Sequence, residues 1–189
     1  MRYRYIAFDI DGTLLDSSAA DLAGLEETLR TQMGLALPTE ALVGALGIPS
    51  RDILEKFGVP PEKIEPLSRM WADRMYAHFD RVRVFPGIEQ ALERLCEAGA
   101  RVGVVTSKNG EEYARDMSPF GLEKYFCTVV TASDTRLHKP NPEPLLEYMR
   151  RIGARREQTL YIGDSVYDRD CARGAGVDFA LAVWGSFSP

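Results

Sequence analysis

The 189-residue sequence predicts an α/β protein, a doubly wound parallel sheet with an all-helical cap inserted after its first strand. Three observations carry that prediction. Tyr3 to Phe8 is β-branched and aromatic, and it ends at Asp9-Ile10-Asp11-Gly12-Thr13, where acids and glycine signal a tight turn. Leu15 to Arg81 then reads as helix after helix, with no strand candidate between. From Phe85-Pro86-Gly87 onward strands alternate with helices, which implies parallel strands covered on both faces.

The first strand leaves its acids at its carboxyl end. In the helical stretch Ala, Leu and Glu recur at helical spacing, punctuated at Gly34, Pro38, Gly47-Ile48-Pro49, Gly58 and Pro60-Pro61. The βα series follows: a helix near Ile88 to Ala98, a strand near Arg101 to Thr106, a helix near Glu111 to Met117 and a short strand near Thr128 to Thr131. Asn141 then reads as the cap of a helix with Pro142 at its first position. A strand at Leu160 to Ile162, a helix at Val166 to Arg173 and a strand at Phe179 to Val183 complete it. The expected division is a core of residues 1–14 and 82–189 and a cap of residues 15–81.

Composition bounds the function. Hydrophobic residues make up 45% of the chain, enough for one good core and a modest second lobe. Lys plus Arg number 23 against 28 Asp plus Glu, a net charge of -5 with no block of like charges, which argues against nucleic acid or an anionic membrane as partner. Cys96, Cys127 and Cys171 are odd in number and widely spaced, so reduced, buried thiols are expected rather than a disulfide framework or a zinc pair. No apolar stretch is long enough for a signal peptide or a membrane span, which makes the cytoplasm the default. No heptad pattern or apolar seam stands out, so a monomer or weak homodimer is expected.

Chemistry gathers at strand ends, the edge where open α/β sheets place ligands. Asp9 and Asp11 follow the first strand, Thr106 the next; Lys139 precedes a helix, and Asp164 and Asp168 follow a later strand. Two carboxylates separated only by Ile10 can both face one pocket, one to attack and the other to handle protons. If the four acids converge on a dianionic phosphate, Lys139 alone cannot offset the charge and a divalent cation is required. Oxygen ligands in that number favour a hard ion, Mg2+ first. Lys139, fixed by Pro140-Asn141-Pro142, and the Thr106 hydroxyl both suit stabilising phosphoryl oxygens.

These residues carry a resemblance. Phe8-Asp9-Ile10-Asp11-Gly12-Thr13-Leu14-Leu15-Asp16-Ser17 resembles the signature of the haloacid dehalogenase superfamily of phosphohydrolases. Val104-Val105-Thr106-Ser107, Lys139-Pro140 and Gly163-Asp164-Ser165-Val166-Tyr167-Asp168 match that family's later motifs in order. The resemblance implies a core sheet of order 5-4-1-2-3, and Asp9 and Asp164 would flank its switch point. From the topology, the cap is expected to close over bound substrate on hinges near Leu15 and Val82 to Val84. The resemblance also implies that Asp9 attacks phosphorus to form an aspartyl-phosphate, and that Asp11 protonates the leaving oxygen and then activates water. Asp9, Asp164 and the Asp11 main-chain carbonyl would hold magnesium, with Asp168 behind them orienting metal-bound water and Lys139. The carbon-halogen enzymes of the family lack an acid at the Asp11 position, so phosphoryl transfer is favoured over dehalogenation. The Gly47-Ile48-Pro49 turn and Phe85-Pro86-Gly87-Ile88 are most similar to the phosphoglycolate phosphatase-like group, which implies a small phosphorylated metabolite, phosphoglycolate first, as substrate. That group usually continues past the tryptophan-glycine seen here as Trp184-Gly185, whereas this chain ends at Pro189.

Taken singly, each feature has a plainer reading. A lone Asp-x-Asp is more often an exposed turn, and a lone Lys139 or Thr106 is ordinary; four ordered motifs reverse that. Ser107, Lys108 and Asn109 could line the pocket mouth, with helix capping the competing account of Asn109. Arg51 could meet a substrate carboxylate, and a solvated arginine at a helix start explains it equally. His78 and His138 read as structural or surface residues. The rival functions are a phosphosugar mutase, a pyrophosphatase or nucleotidase, a receiver-type signalling module and a non-catalytic scaffold. The chain order and the cap argue against the receiver module, and the presence of Asp9, Asp11 and Lys139 argues against the scaffold.

Overall fold

A computed structural model of the chain describes residues 2–45 and 50–187, so Gly47-Ile48-Pro49 lie outside the described residues. The chain divides into two compact units, one formed by Met1–Leu15 and Val84–Pro189 and the other by Asp16–Arg83.

In the first unit, β1 (Tyr5–Phe8) is followed after the helical segment by α5 (Ile88–Glu97), β4 (Arg101–Val105), α6 (Gly110–Met117), β5 (Thr128–Val130), α7 (Glu143–Ile152), β6 (Thr159–Gly163), α8 (Val166–Ala175) and β7 (Asp178–Leu181). The five core strands form one sheet in the order β5-β4-β1-β6-β7, and every neighbouring pair is parallel. Numbered along the chain as core strands alone, this is the 5-4-1-2-3 order that the resemblance implies. The sheet's direction of growth reverses at β1. Phe8 is level with Val104 on one side and Ile162 on the other, so the chain leaves all three central strands at the same edge.

Amphipathic helices bury that sheet. Leu145, Tyr148, Met149 and Ile152 on α7 recur at three- and four-residue spacing and pack with Cys171, Ala172 and Ala175 of α8 on Val105, Val130 and Tyr161. Removing one such leucine side chain from water contributes about 1.5–3 kcal/mol. Gly103 leaves room in mid-strand: a Cβ there would lie 2.6 Å from both the Thr128 carbonyl oxygen and the Tyr148 ring. The second unit comprises α1 (Ser18–Met33), α2 (Thr39–Leu42), α3 (Ser50–Lys56) and α4 (Pro61–Ala77), with Leu25, Leu29, Leu42, Ile53, Leu54, Ile64 and Leu67 in its core. The Trp71 indole N–H donates to the Asp21 carbonyl at 2.9 Å. Among the described residues no helix is long and apolar enough to cross a membrane.

Three details depart from the sequence expectation. Leu15–Asp16 (β2) and Arg83–Val84 (β3) pair as a small second sheet where a helical stretch was expected to begin; two residues carry no period to read. The helix after Lys139 begins one residue later than its proline suggests: Pro142 is the cap residue, and Asn141 Oδ1 accepts from the Glu143 N–H at 3.0 Å. The thiols are free, but Cys127, just before the edge strand β5, is exposed and Cys96 is half-buried.

Candidate active site

The tight turn after β1 builds the first half of the site. Asp9 is buried, and its N–H continues the sheet by donating to the Ile162 carbonyl at 2.9 Å. Gly12, at φ 70°, turns the chain so closely that a Cβ there would lie 2.4 Å from Asp164 Oδ2. Only glycine adopts that conformation without strain and leaves the space. The acids that follow β1 and β6 are thereby brought together. Carboxylate oxygens of Asp9, Asp164 and Asp168, all buried, lie within 4.8 Å of one another.

One buried cation faces them. Lys139 Nζ is 2.9 Å from Asp9 Oδ1 and 2.6 Å from Asp168 Oδ1. Asp168 is fully engaged by the protein: Oδ1 also meets the Tyr161 hydroxyl at 2.9 Å, and Oδ2 accepts from the Ser165 N–H at 3.1 Å and its hydroxyl at 2.6 Å. The Asp168 N–H returns a bond to Ser165 Oγ, so the acid doubles as the third residue of the capping box of α8.

Burial, with repulsion from Asp168 and Asp164 that Lys139 only partly offsets, pushes the Asp9 carboxyl up to about 8. Burial and Asp168 push Asp164 up to about 7. Burial works the same way on Asp168, but Lys139, Ser165 and Tyr161 hold it below the ordinary carboxylate range. Lys139 stays well above an ordinary lysine, because its two carboxylate partners outweigh its burial. Once ionised, the three buried acids would face a single ammonium among the described residues and carry a negative excess. An all-oxygen donor set with that excess fits a hard divalent cation. Asp9 and Asp164 are the better ligands of the three, since the oxygens of Asp168 are already taken.

The other predicted residues fall into place around this centre or away from it. Thr106, buried, follows β4; its Oγ1 accepts from the Lys108 N–H at 3.2 Å, which leaves the hydroxyl proton to donate. Asp11 is 41% exposed and pairs with Lys108 Nζ at 2.9 Å. Ser107 is exposed. Asn109 caps α6 in a reciprocal box with Glu112, the competing account of that residue. Arg51, in the first turn of α3 in the other unit, is exposed and 3.5 Å from Glu55, as a solvated helix arginine would be. His138 is exposed, and His78 meets Glu27 at 3.0 Å. Two residues joined to this network escaped sequence reasoning. Tyr161 reads only as a strand aromatic. Asp116, fully buried and 2.8 Å from Lys108, gives one weak cue, an acid in the last turn of a helix, where the macrodipole disfavours it.

The model of the haloacid dehalogenase-like hydrolases matches residues 6–182, every part of this arrangement included. The chain belongs to that family. Among curated haloacid dehalogenase-like relatives, the "putative pyrophosphatase PpaX" of Caldanaerobacter subterraneus is 32% identical over 97% of this chain and 83% of its own length. The "pyrophosphatase PpaX" of Halalkalibacterium halodurans is 29% identical over 96% of this chain and 84% of its own. Among solved structures, that of a "putative phosphoglycolate phosphatase" from Lactobacillus plantarum superposes with a TM-score of 0.88 at 31% identity, covering 98% of this chain and 88% of that one.

Proposed function

We propose that this haloacid dehalogenase-like hydrolase is a magnesium-dependent phosphohydrolase of small phosphorylated metabolites, working through an aspartyl-phosphate on Asp9. The observation that carries the proposal is the buried contact of Lys139 with Asp9, backed by Asp168. That contact sets a fixed cation beside a carboxyl at a sheet switch point, which supports the reading of Asp9 as the nucleophile.

In the first half, an oxygen of Asp9 attacks phosphorus, the bond to the leaving oxygen breaks, and the Asp11 carboxyl gives that oxygen its proton. In the second half, the Asp11 carboxylate takes a proton from water, the water oxygen attacks phosphorus, and the bond to Asp9 breaks. Inorganic phosphate leaves and both acids return to their starting states. Lys139 offsets the charge that Asp9 and the phosphoryl oxygens share, and the free proton of the Thr106 hydroxyl donates to one of those oxygens. Magnesium, held by Asp9, Asp164 and the Asp11 main-chain carbonyl, would supply positive charge to the phosphoryl group and keep Asp9 ionised at neutral pH.

For the substrate, pyrophosphate comes first, because relatives that align over nearly the whole chain are named pyrophosphatases. Phosphoglycolate is the second reading, favoured by the 31% identical structure that carries that name. Both have an anionic leaving group. The test is phosphate release from pyrophosphate, phosphoglycolate and simple esters, with magnesium and with chelator, for the native chain and Asp9→Asn. Magnesium-dependent release lost in Asp9→Asn, by roughly a thousandfold or more, is expected for loss of a nucleophile. Equal release by the variant, or none from any compound by a folded native chain, would overturn the proposal.

A further inference from the structure

The loop between β4 and α6 holds a second buried ion pair that the chemistry above does not use. Lys108 is pinned along its backbone: its N–H donates to Thr106 Oγ1 at 3.2 Å, and its carbonyl accepts from the Ala132 N–H at 2.8 Å. Its side chain, 13% exposed, then spans two acids, with Nζ 2.9 Å from Asp11 Oδ2 and 2.8 Å from Asp116 Oδ2. Asp116 has no exposed side-chain surface; its other oxygen takes the Arg115 Nε at 3.0 Å.

That placement is costly. Asp116 is the penultimate residue of α6, and a carboxylate in the last turn of a helix meets the negative end of the macrodipole. Burial adds a desolvation penalty that an ion pair at best offsets, so such a pair is weak evidence for a stabilising role. Lys108 gains a partner held on a rigid helix. A lysine stem has four rotatable bonds, and one exposed acid would not fix its ammonium. With Asp116 behind it, the ammonium has one place to be, against the carboxyl that the proposed function gives to proton transfer.

We propose that Asp116 is a positioning residue: through Lys108 it orients the Asp11 carboxyl for proton transfer to the leaving oxygen. This rests on the phosphohydrolase reading above. The proton matters in proportion to the basicity of the leaving oxygen. Disorienting Asp11 therefore slows esters with poor leaving groups and spares those whose leaving group departs unaided. Loss of folding, or of the nucleophilic half of the site, slows both alike.

The test compares phenyl phosphate with p-nitrophenyl phosphate, which share a shape and differ in leaving-group basicity. The readout is kcat/KM, which covers the steps up to transfer of the phosphoryl group. Asp116→Asn keeps the volume, and Asp116→Leu removes the acceptor altogether; thermal melts record whether each folds. With general-acid catalysis typically worth 10²–10⁴-fold, misorienting the acid should lower kcat/KM for phenyl phosphate by about tenfold or more and for p-nitrophenyl phosphate by less than about threefold. In a Lys108→Met background Asp116→Asn should add no further selectivity, because its effect runs through the lysine. Parallel losses on the two esters, no loss on either, or an undiminished effect without Lys108 would overturn the inference while leaving the phosphohydrolase reading intact. A folded native chain that releases phosphate from no compound tried, pyrophosphate and phosphoglycolate included, or one whose turnover survives Asp9→Asn, would overturn both. Turnover of pyrophosphate with neither ester accepted would overturn the inference as stated for ester leaving groups and leave the phosphohydrolase reading standing.

Discussion

At Asp164 the proposed function and stability pull against each other. The carboxyl is buried beside Asp168 and Asp9, and its affinity for a proton rises to about 7, that of Asp9 to about 8. Both lie above the unfolded values, so these two groups bind more protons in the native state than in the unfolded chain. Above about pH 5, carboxyls held low in the native state, such as Asp168 and Glu147, are ionised in both states, and metal-free stability is expected to fall as pH rises towards about 8. In chelator, the melting temperature is expected to be higher at pH 5.5 than at pH 8, and magnesium should narrow the gap. Asp164→Asn removes one repelling charge at nearly constant shape. It should melt higher than the native chain at pH 8 in chelator, yet lose magnesium-dependent activity, the exchange expected where a strained site is kept for function. A variant no more stable than the native chain under those conditions would mean that its burial is not opposed by the neighbouring carboxylates. Asp168 is a different case, since donors occupy both its oxygens. Asp168→Asn should lower turnover by about 10–100-fold, the usual cost of disturbing a residue that orients metal ligands and their neighbours, with Asp9→Asn remaining the more severe.

Among the helices, Gly24 in α1 sets packing against propensity. A Cβ there would lie 2.7 Å from the Met75 amide nitrogen and 3.0 Å from the Trp71 carbonyl oxygen, backbone atoms of α4 that cannot turn aside. Alanine gains about 1 kcal/mol over glycine in a helix interior, whereas forcing a methyl group into a packed contact costs about 1–3 kcal/mol. Gly24→Ala is therefore expected to destabilise the chain in chemical denaturation, and a gain in stability would show that the helices part without cost. The same scale explains what could be read from sequence. The core elements were legible because their periods are long enough to see: α7 buries Leu145, Tyr148, Met149 and Ile152 at helical spacing, and β1 and β4 are runs closed by acid or hydroxyl residues. The pairing of Leu15–Asp16 with Arg83–Val84 was not, since strands of two residues are fixed by long-range hydrogen bonds and have no local signature. Asn141 misled by one position because its side chain reaches the Glu143 N–H from outside the helix, as in an Asx-turn. Asp9, Asp11, Lys139 and Asp164 could be picked out because each stands in a short motif at a strand end or before a helix. Asp116 stands in none, and only folding brings it to Lys108.

Across the whole molecule the parallel sheet gathers charge that the chain's own cations do not neutralise. The order β5-β4-β1-β6-β7 puts the ends of three neighbouring strands at one edge, and the residues that follow contribute Asp9, Thr106 and Asp164, with only Lys139, among the described residues, buried against the acids. A cation that binds this edge in the native state and finds no such cluster in the unfolded chain must stabilise the fold by linkage. The stabilisation reaches about 2.7 kcal/mol at a magnesium concentration one hundred times its Kd. For a chain of this size that corresponds to a rise of roughly 5–10 °C in melting temperature. The rise should saturate with magnesium, shrink strongly in Asp164→Asn, and persist in Asp116→Asn, whose proposed role concerns the proton donor and not the acid cluster. Because this readout needs no substrate, it separates two questions that activity alone would merge. A magnesium-dependent rise without turnover would retain the metal centre and reject the compounds tried, whereas turnover without any rise would mean that the ion enters only with the phosphorylated substrate, whose own oxygens would then complete its coordination.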